Sequence, residues 1–162
     1  MADGGAQGYG VILLTFLCAC LLAVLPLPQW LLWARPEWVA LALVYWVIAL
    51  PHRVGIATAF ALGVGLDMLE GALLGQNAFA LVVVATLSLT LYQRLRVYSL
   101  WQQSAVVFVL IGINQLICQW VQNLQGVGAQ SLLFLLPALT SALLWPVVLQ
   151  VLRSLRRGYQ VS

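Results

Sequence analysis

Charged residues are scarce in this chain of 162 residues: they make up 7% of it, against 64% hydrophobic residues. Lysine is absent, and there are only four acids and one histidine. A soluble domain carries about 25% charged residues, so the composition excludes a water-soluble globular protein, a coiled coil and a disordered tail. The three cysteines (Cys18, Cys20 and Cys118) lie within apolar segments and act as small apolar side chains, which excludes a disulfide-rich secreted module. The composition predicts an integral membrane protein.

Long uncharged runs indicate how the chain crosses the membrane. Residues 97–152 form a run of 56 residues without a formal charge, enough for two helices of about 20 residues and a turn. Together with the turn residues between them, such runs predict an all-α, polytopic protein of about six transmembrane helices in one membrane domain, residues 1–162. The predicted spans are about 10–27, 37–51, 54–74, 78–93, 104–121 and 132–152, with Asn77 expected to cap the fourth.

The second of these spans is short. A helix over 37–51 would rise only about 22 Å, less than the hydrocarbon thickness of a bilayer. Either the bilayer thins at this place, or the segment packs among its neighbours without meeting lipid on both sides.

The seven arginines indicate the orientation of the chain. With an even number of spans and the N terminus inside, six arginines fall on the cytoplasmic side and only Arg35 falls outside. This bias predicts that both termini are cytoplasmic. Residues 1–10 carry no arginine or lysine, so the first segment is expected to be an uncleaved span. The arginines do not cluster on one basic face, so membrane lipid is a predicted partner and nucleic acid is not.

Patterns for catalysis or metal binding are as scarce as the charges. The single histidine, His52, cannot supply the paired histidines of a metalloprotease helix, and no G-x-S-x-G turn is present. The segment from Gly63 to Asp67 resembles one half of an intramembrane aspartyl protease site, but no second aspartate lies within a span. The sequence predicts no enzyme, no metal site and no cofactor.

Asp67 and Glu70 are the most informative polar residues. If 54–74 is one helix, Asp67 lies at membrane depth, where an ionisable group needs a partner. In the alternative interpretation the helix ends at Leu66, and Asp67 begins a wet loop. For a buried Asp67 the candidate donors are amides of the fifth segment or a group on a partner helix. Amides at this depth link helices or line a substrate pathway. This predicted polar network consists of Asp67, Asn114, Gln115 and Gln119.

Small residues recur at every fourth position of the third segment, in two stripes. The first stripe is Gly55, Ala59 and Gly63, and the second stripe is Ala57, Ala61 and Gly65. Such stripes allow two helix backbones to approach closely in lipid. The sequence leaves open whether the partner helix belongs to this chain or to another.

Several motifs follow one another along nearly the whole chain: Arg35-Pro36-Glu37-Trp38, Tyr45-Trp46, Leu50-Pro51-His52-Arg53, Gly63 to Asp67 with Gly71 and Gly75, Leu100-Trp101-Gln102-Gln103 and Trp145-Pro146. In order and spacing they resemble the rod shape-determining protein MreD family of Gram-negative bacteria. The residues that the resemblance marks for structure or partner binding are Arg35, Pro36, Trp38, Pro51, His52, Arg53, Gly63, Asp67, Gly71 and Gly75.

The resemblance implies a non-enzymatic scaffold of the bacterial inner membrane that serves peptidoglycan synthesis during cell elongation. The implied partners are the single-pass protein MreC, RodA with a class B penicillin-binding protein, and indirectly MreB filaments, with a homodimer as a further candidate. MreD-like proteins are also similar in architecture to the substrate-binding subunits of energy-coupling-factor transporters. The alternative is therefore a small-molecule binding or transport subunit with an intramembrane pocket around Asp67.

Overall fold

The computed structural model describes residues 3–26, 28–32, 35–71, 73–126 and 135–159. Within these ranges the chain is helical and contains no β-strand, which confirms the predicted all-α class. The described residues form six helices of twelve or more residues and one single-turn helix. They are α1 (Asp3–Val24), α2 (Gln29–Leu32), α3 (Trp38–Ala49), α4 (Ile56–Glu70), α5 (Gln76–Val97), α6 (Leu100–Leu124) and α7 (Leu136–Gly158).

The helix ends follow local sequence signals. Helix α6 begins at a capping box, in which the side chains of Ser99 and Gln102 bond to each other's backbone N–H groups. Helix α4 ends at Glu70 and does not continue to residue 74 as predicted, because Gly71 adopts the left-handed conformation with φ 68°. The alternative end at residue 66 is also wrong, since Asp67 lies within α4.

Three helices, α5, α6 and α7, are long and apolar enough to cross a bilayer. The apolar part of α1 (Gly8–Val24) and helices α3 and α4 are shorter, and their crossing stays a prediction. Large apolar side chains cover the outer surface, and Leu13, Phe60 and Leu116 are each more than half exposed. Such a surface is suited to lipid rather than to water. The chain is a membrane protein.

Helix α3 is the centre of the bundle. Nine of its twelve residues, Val39 to Val47, are buried, and it packs against α1, α5, α6 and α7. Its Trp46 is fully buried and donates its indole N–H to the hydroxyl of Thr15 on α1, at 2.9 Å. A helix that is apolar on every side is stable when neighbours surround it. Helix α3, which corresponds to the short second span of the prediction, therefore packs among its neighbours on all sides.

Consecutive long helices run antiparallel, so the charges of the described residues collect at two ends of the bundle. Glu37, before α3, lies near Asp67 and Glu70, which belong to the last turn of α4; these residues, together with Arg35, define the acidic end. The other end carries the remaining arginines and the start of α1, since the guanidinium of Arg53 lies 5.0 Å from the ring centre of Tyr9. The arginines of this basic end are Arg53, Arg94, Arg96, Arg153, Arg156 and Arg157.

Candidate functional site

The carboxylate of Asp67 is the centre of the acidic end. Asp67 is 1% exposed; its Oδ2 accepts the backbone N–H of Gly75 at 2.8 Å, and its Oδ1 accepts that of Asn77 at 2.9 Å. Both amides belong to the N-terminal turn of α5, whose N–H groups have no acceptor within the helix and whose dipole favours a negative charge. Asp67 therefore caps the helix that follows its own.

The turn between α4 and α5 depends on two glycines. Gly71 has φ 68° and Gly75 has φ 102°, both in the left-handed region that residues with side chains avoid. The N–H of Gly71 bonds to the carbonyl oxygen of Asp67 and closes α4. Only residues 71–75 separate the two helices, so the N terminus of α5 falls directly on the Asp67 carboxylate.

Gly63 allows α4 and α5 to approach closely. It lies one helical turn before Asp67 and on the same face of α4. A Cβ atom at Gly63 would overlap backbone atoms of Ala78 and lie 2.8 Å from the carbonyl carbon of Asn77. Any other residue would push α5 away. Gly63 therefore allows the close approach of α4 and α5, and this approach brings the Asp67 carboxylate within hydrogen-bond distance of α5.

A chain of side-chain hydrogen bonds extends from Glu70 to α6. The Nδ2–H of Asn77 donates to Oε2 of Glu70 at 3.1 Å. The Oδ1 of Asn77 in turn accepts the thiol of Cys118 on α6, with 3.6 Å between sulfur and oxygen. Asn77 is 6% exposed, so this arrangement satisfies a buried amide and connects α4, α5 and α6.

Glu37 connects α3 and α7 to the acidic end and adds a second bond to α6. Its backbone N–H donates to Oγ of Ser141 on α7 at 2.9 Å, and its carboxylate accepts the side-chain N–H of Gln115 on α6. Glu37, Glu70 and Arg35 line a common cavity of about 190 Å³. The acidic end is thus a bonded cluster in which each described carboxylate has a donor from another part of the chain.

Comparison with known proteins places this sequence in a family. The model of the family described as rod shape-determining protein MreD matches residues 5–155. The chain belongs to the MreD family. The rod shape-determining protein MreD of Haemophilus influenzae is 34% identical over 146 residues, which cover 90% of each of the two chains. No solved structure matches the chain. The predicted family is confirmed, and its role is the determination of rod shape.

Two of the motifs that resemble MreD meet at the acidic end. Residues 35–38 line the cavity beside Glu70, and residues 63–75 contain the close approach, the cap and the turn described above. Residues 50–53 lie at the basic end instead, in the turn between α3 and α4, where His52 is exposed. The residues that the resemblance marks thus fall in three motifs. The structure brings two of them, 35–38 and 63–75, together and places the third, 50–53, at the other end of the bundle.

The predicted polar network around Asp67 needs correction. Asp67 takes its hydrogen bonds from backbone amides of α5 and not from side-chain amides of α6. Gln115 does connect two helices, as amides in membranes commonly do, but its partner is Glu37. The reason is geometric. The turn at 71–75 brings free backbone donors to Asp67, and Gln115 donates instead to the carboxylate of Glu37, which precedes α3.

The other two amides of this network have different surroundings. Gln119 donates to the side-chain oxygen of Asn123, one turn further along α6, at 3.3 Å. Asn114 is 2% exposed, and its side-chain oxygen has no hydrogen-bond partner among the described residues. Neither of these described arrangements includes Asp67.

Sequence reasoning missed Glu37 as a member of the site, and it assigned Asn77 the wrong role. Asn77 lies inside α5, because Gly75 is the N-cap residue and Asp67 supplies the capping carboxylate. A signal for this device was present in the four-residue spacing of Gly63, Asp67, Gly71 and Gly75.

The two small-residue stripes have different surroundings. The first stripe faces α5 within this chain, since Ala59 is fully buried and Gly63 lies against α5. In the second stripe Ala57 and Ala61 are exposed, and a Cβ atom at Gly65 would meet nothing within 4 Å. The first stripe is thus used inside the bundle, and the second faces outward.

Proposed function

We propose that the chain is a non-enzymatic scaffold of the cell-elongation machinery, which binds MreC and supports RodA with its class B penicillin-binding protein. Family membership supports the connection to rod shape. The described residues consist of helices and the short segments between them, so partner contacts in this part of the chain fall on helix faces and turns. MreB filaments are connected to the scaffold indirectly, through these partners.

The observation that carries this proposal is the outward face of α4. Ala57 and Ala61 lie one turn apart and are exposed, and the larger exposed side chains Phe60 and Met68 stand near them on the same helix. Small residues beside large ones form a shallow groove, against which a second helix packs closely in lipid. The occupant that we propose for this groove is the single transmembrane helix of MreC.

The test replaces the small side chains of the groove with larger ones at positions that face away from the bundle. The double variant Ala57→Leu/Ala61→Leu is expected to lose MreC on co-purification and to fail to restore rod shape in a depleted host, at an unchanged membrane level. The matched control is Ala105→Leu, which changes an exposed alanine on α6. Full MreC binding by the double variant contradicts the proposal, and loss of self-association alone assigns the face to a homodimer.

The alternative function, small-molecule binding or transport, depended on a pocket around Asp67. Both oxygens of Asp67 accept backbone N–H groups, so we assign this residue to the fold and not to a ligand. A specific small molecule that stays bound through purification, and is lost in Glu37→Gln, would restore the transport interpretation.

We also propose that the protein lies in the inner membrane with its basic end in the cytoplasm. Six of the seven arginines belong to that end, in agreement with the positive-inside rule. A reporter fusion at Ser162 is expected to be active only as a cytoplasmic reporter, and one at Gly126 only as a periplasmic reporter. The opposite pair of results would reverse the orientation.

A further inference from the structure

A second cavity, of about 440 Å³, opens at the basic end between α3, α5, α6 and α7. Three arginines line it, together with a tyrosine and a glutamine: Arg96, Arg153, Arg156, Tyr45 and Gln103. The carboxylates whose side chains the structure describes all lie at the acidic end. The cavity therefore combines a high density of positive charge with no described acid to neutralise it.

Arg96 is held at the wall of this cavity by the end of α3. Its Nε–H donates to the carbonyl oxygen of Ile48 at 2.9 Å, and its Nη2–H donates to that of Ala49 at 3.1 Å. These are carbonyl groups of the last helical turn, which have no partner within the helix. The bonds fix the position of the guanidinium without cancelling its charge, because a carbonyl carries a dipole and no net charge.

The hydroxyl group of Tyr45 supplies a second, independent observation. Tyr45 is 3% exposed, and its hydroxyl forms no well-aligned hydrogen bond among the described residues, although the guanidinium of Arg156 lies near it. A guanidinium can only donate, so the O–H of Tyr45 has no acceptor. A buried hydroxyl whose O–H has no acceptor is costly and calls for an explanation. An acceptor atom bound in the cavity would provide one.

Gln103 differs from Tyr45 because its side-chain amide already forms hydrogen bonds within the chain. Its Nε2–H donates to the carbonyl oxygen of Leu95 at 2.8 Å, and its Oε1 accepts the indole N–H of the buried Trp145 at 3.2 Å. Gln103 therefore holds α5, α6 and α7 together beneath the cavity. The groups that remain for a ligand are the three guanidinium groups and the hydroxyl.

We infer that this cavity binds a phosphate group, carried by an anionic phospholipid or by a soluble phosphate. Guanidinium groups bind phosphate oxygens through paired N–H donors, and the hydroxyl of Tyr45 adds one more donor. Basic pockets between transmembrane helices are suited to lipid headgroups, and this cavity opens where the apolar helices end. The inference concerns the basic end and does not depend on the scaffold function.

The test uses the full-length protein, purified in a neutral detergent. Native mass spectrometry and thermal unfolding follow the addition of phosphatidic acid, phosphatidylcholine or inorganic phosphate. The wild-type protein is expected to retain phosphatidic acid in preference to phosphatidylcholine. Arg153→Gln/Arg156→Gln is expected to weaken phosphatidic acid binding about tenfold or more, since two charge-assisted hydrogen bonds are lost.

The matched control is Arg94→Gln/Arg157→Gln, which removes the same charge from the same end at positions outside the cavity lining. It is expected to change binding by less than about twofold, since neither guanidinium lines the cavity and only the charge of Arg157 reaches Tyr45, through solvent. Equal losses in the two arginine pairs would show a general attraction to a basic surface and overturn the inference. An absence of preference for phosphatidic acid over phosphatidylcholine, with no effect of inorganic phosphate, would overturn it as well.

Tyr45→Phe provides a variant that keeps the packing of the ring. It is expected to weaken phosphate binding about fivefold, and to leave the unfolding temperature of the ligand-free protein unchanged or raised, because a buried O–H without an acceptor is removed. Stabilisation by inorganic phosphate alone identifies a soluble phosphate as the ligand, and stabilisation only by phosphatidic acid identifies a lipid. Unchanged binding of both in Tyr45→Phe and in the cavity arginine pair would contradict the site.

Discussion

The acidic end and the basic end of the bundle treat their charges in opposite ways. At the acidic end, Asp67 receives two backbone N–H groups of α5, Glu70 receives an amide, and Glu37 receives another. At the basic end, Arg153 and Arg156 face a cavity without a described carboxylate. Charge is thus satisfied within the chain at one end and left for the surroundings at the other.

This difference indicates separate roles for the two ends. A charge that is bonded within the chain contributes to the position of helices, and its removal leaves buried donors without acceptors. A charge that meets no partner in the chain acts on lipid, ligand or membrane orientation. Substitutions at the acidic end should therefore change stability, whereas those at the basic end should change binding and topology.

The largest effect is expected for Gly63→Ala at the acidic end. The new methyl group would overlap the backbone of Ala78 and separate α4 from α5. Overpacking of this kind costs about 1–3 kcal/mol, and more where the obstacle is backbone. Thermal unfolding of the purified protein and its membrane level measure the loss. The control Gly65→Ala adds a methyl group into open space on the same helix and should be neutral; equal behaviour of the two variants would contradict the close approach.

Asp67→Leu should have the next largest effect. It leaves the N–H groups of Gly75 and Asn77 without an acceptor, at a cost of about 1–3 kcal/mol for the buried N–H of Asn77 and less for the half-buried one of Gly75. Asp67→Asn keeps one acceptor oxygen but turns an NH₂ group toward the second donor, so its stability should lie between those of Leu and the wild type. Thermal unfolding ranks the three proteins. A wild-type stability of Asp67→Leu would refute the capping role.

Arg96→Gln tests the arginine of the basic end that hydrogen bonds anchor to the end of α3. The variant loses two hydrogen bonds to the C-terminal turn of α3, and because Arg96 is exposed the expected cost is only about 1 kcal/mol. Arg94→Gln removes the same charge two residues earlier in α5, at a side chain without such bonds among the described residues, so its unfolding temperature should stay at the wild-type value. A larger loss for Arg94→Gln would show that charge, and not anchoring, is measured.

The smallest effect is expected for Glu70→Gln. Glu70 is exposed, and its described bond comes from the Nδ2–H of Asn77, which the oxygen of glutamine can accept as well. The change in stability should stay within about 0.5 kcal/mol, as for most surface substitutions. Loss of rod shape at a normal protein level would show that the negative charge itself is required, and would weaken the contrast between the two ends.

The sequence predicted the helices better than it predicted their contacts. The short second span and the all-helical class could be deduced from apolar runs and from prolines, because these are local properties. The end of α4 at Glu70 was misplaced, since an apolar run continues past the turn that Gly71 imposes. The donors for Asp67 were misassigned because the sequence shows which amides lie at membrane depth, but not toward which neighbour they are rotated.

By itself the sequence determined that this protein is helical, that it belongs in a membrane and that its arginines stand apart from most of its acids. Run length, composition and charge order are fixed along the chain, and the low dielectric of lipid allows few structures to satisfy them. Only the tertiary structure decided that Gly63 meets Ala78, that Asp67 caps α5, and that arginines from two helices share one cavity. These contacts depend on how each helix is rotated and how closely it approaches the next, and packing among all the helices sets both.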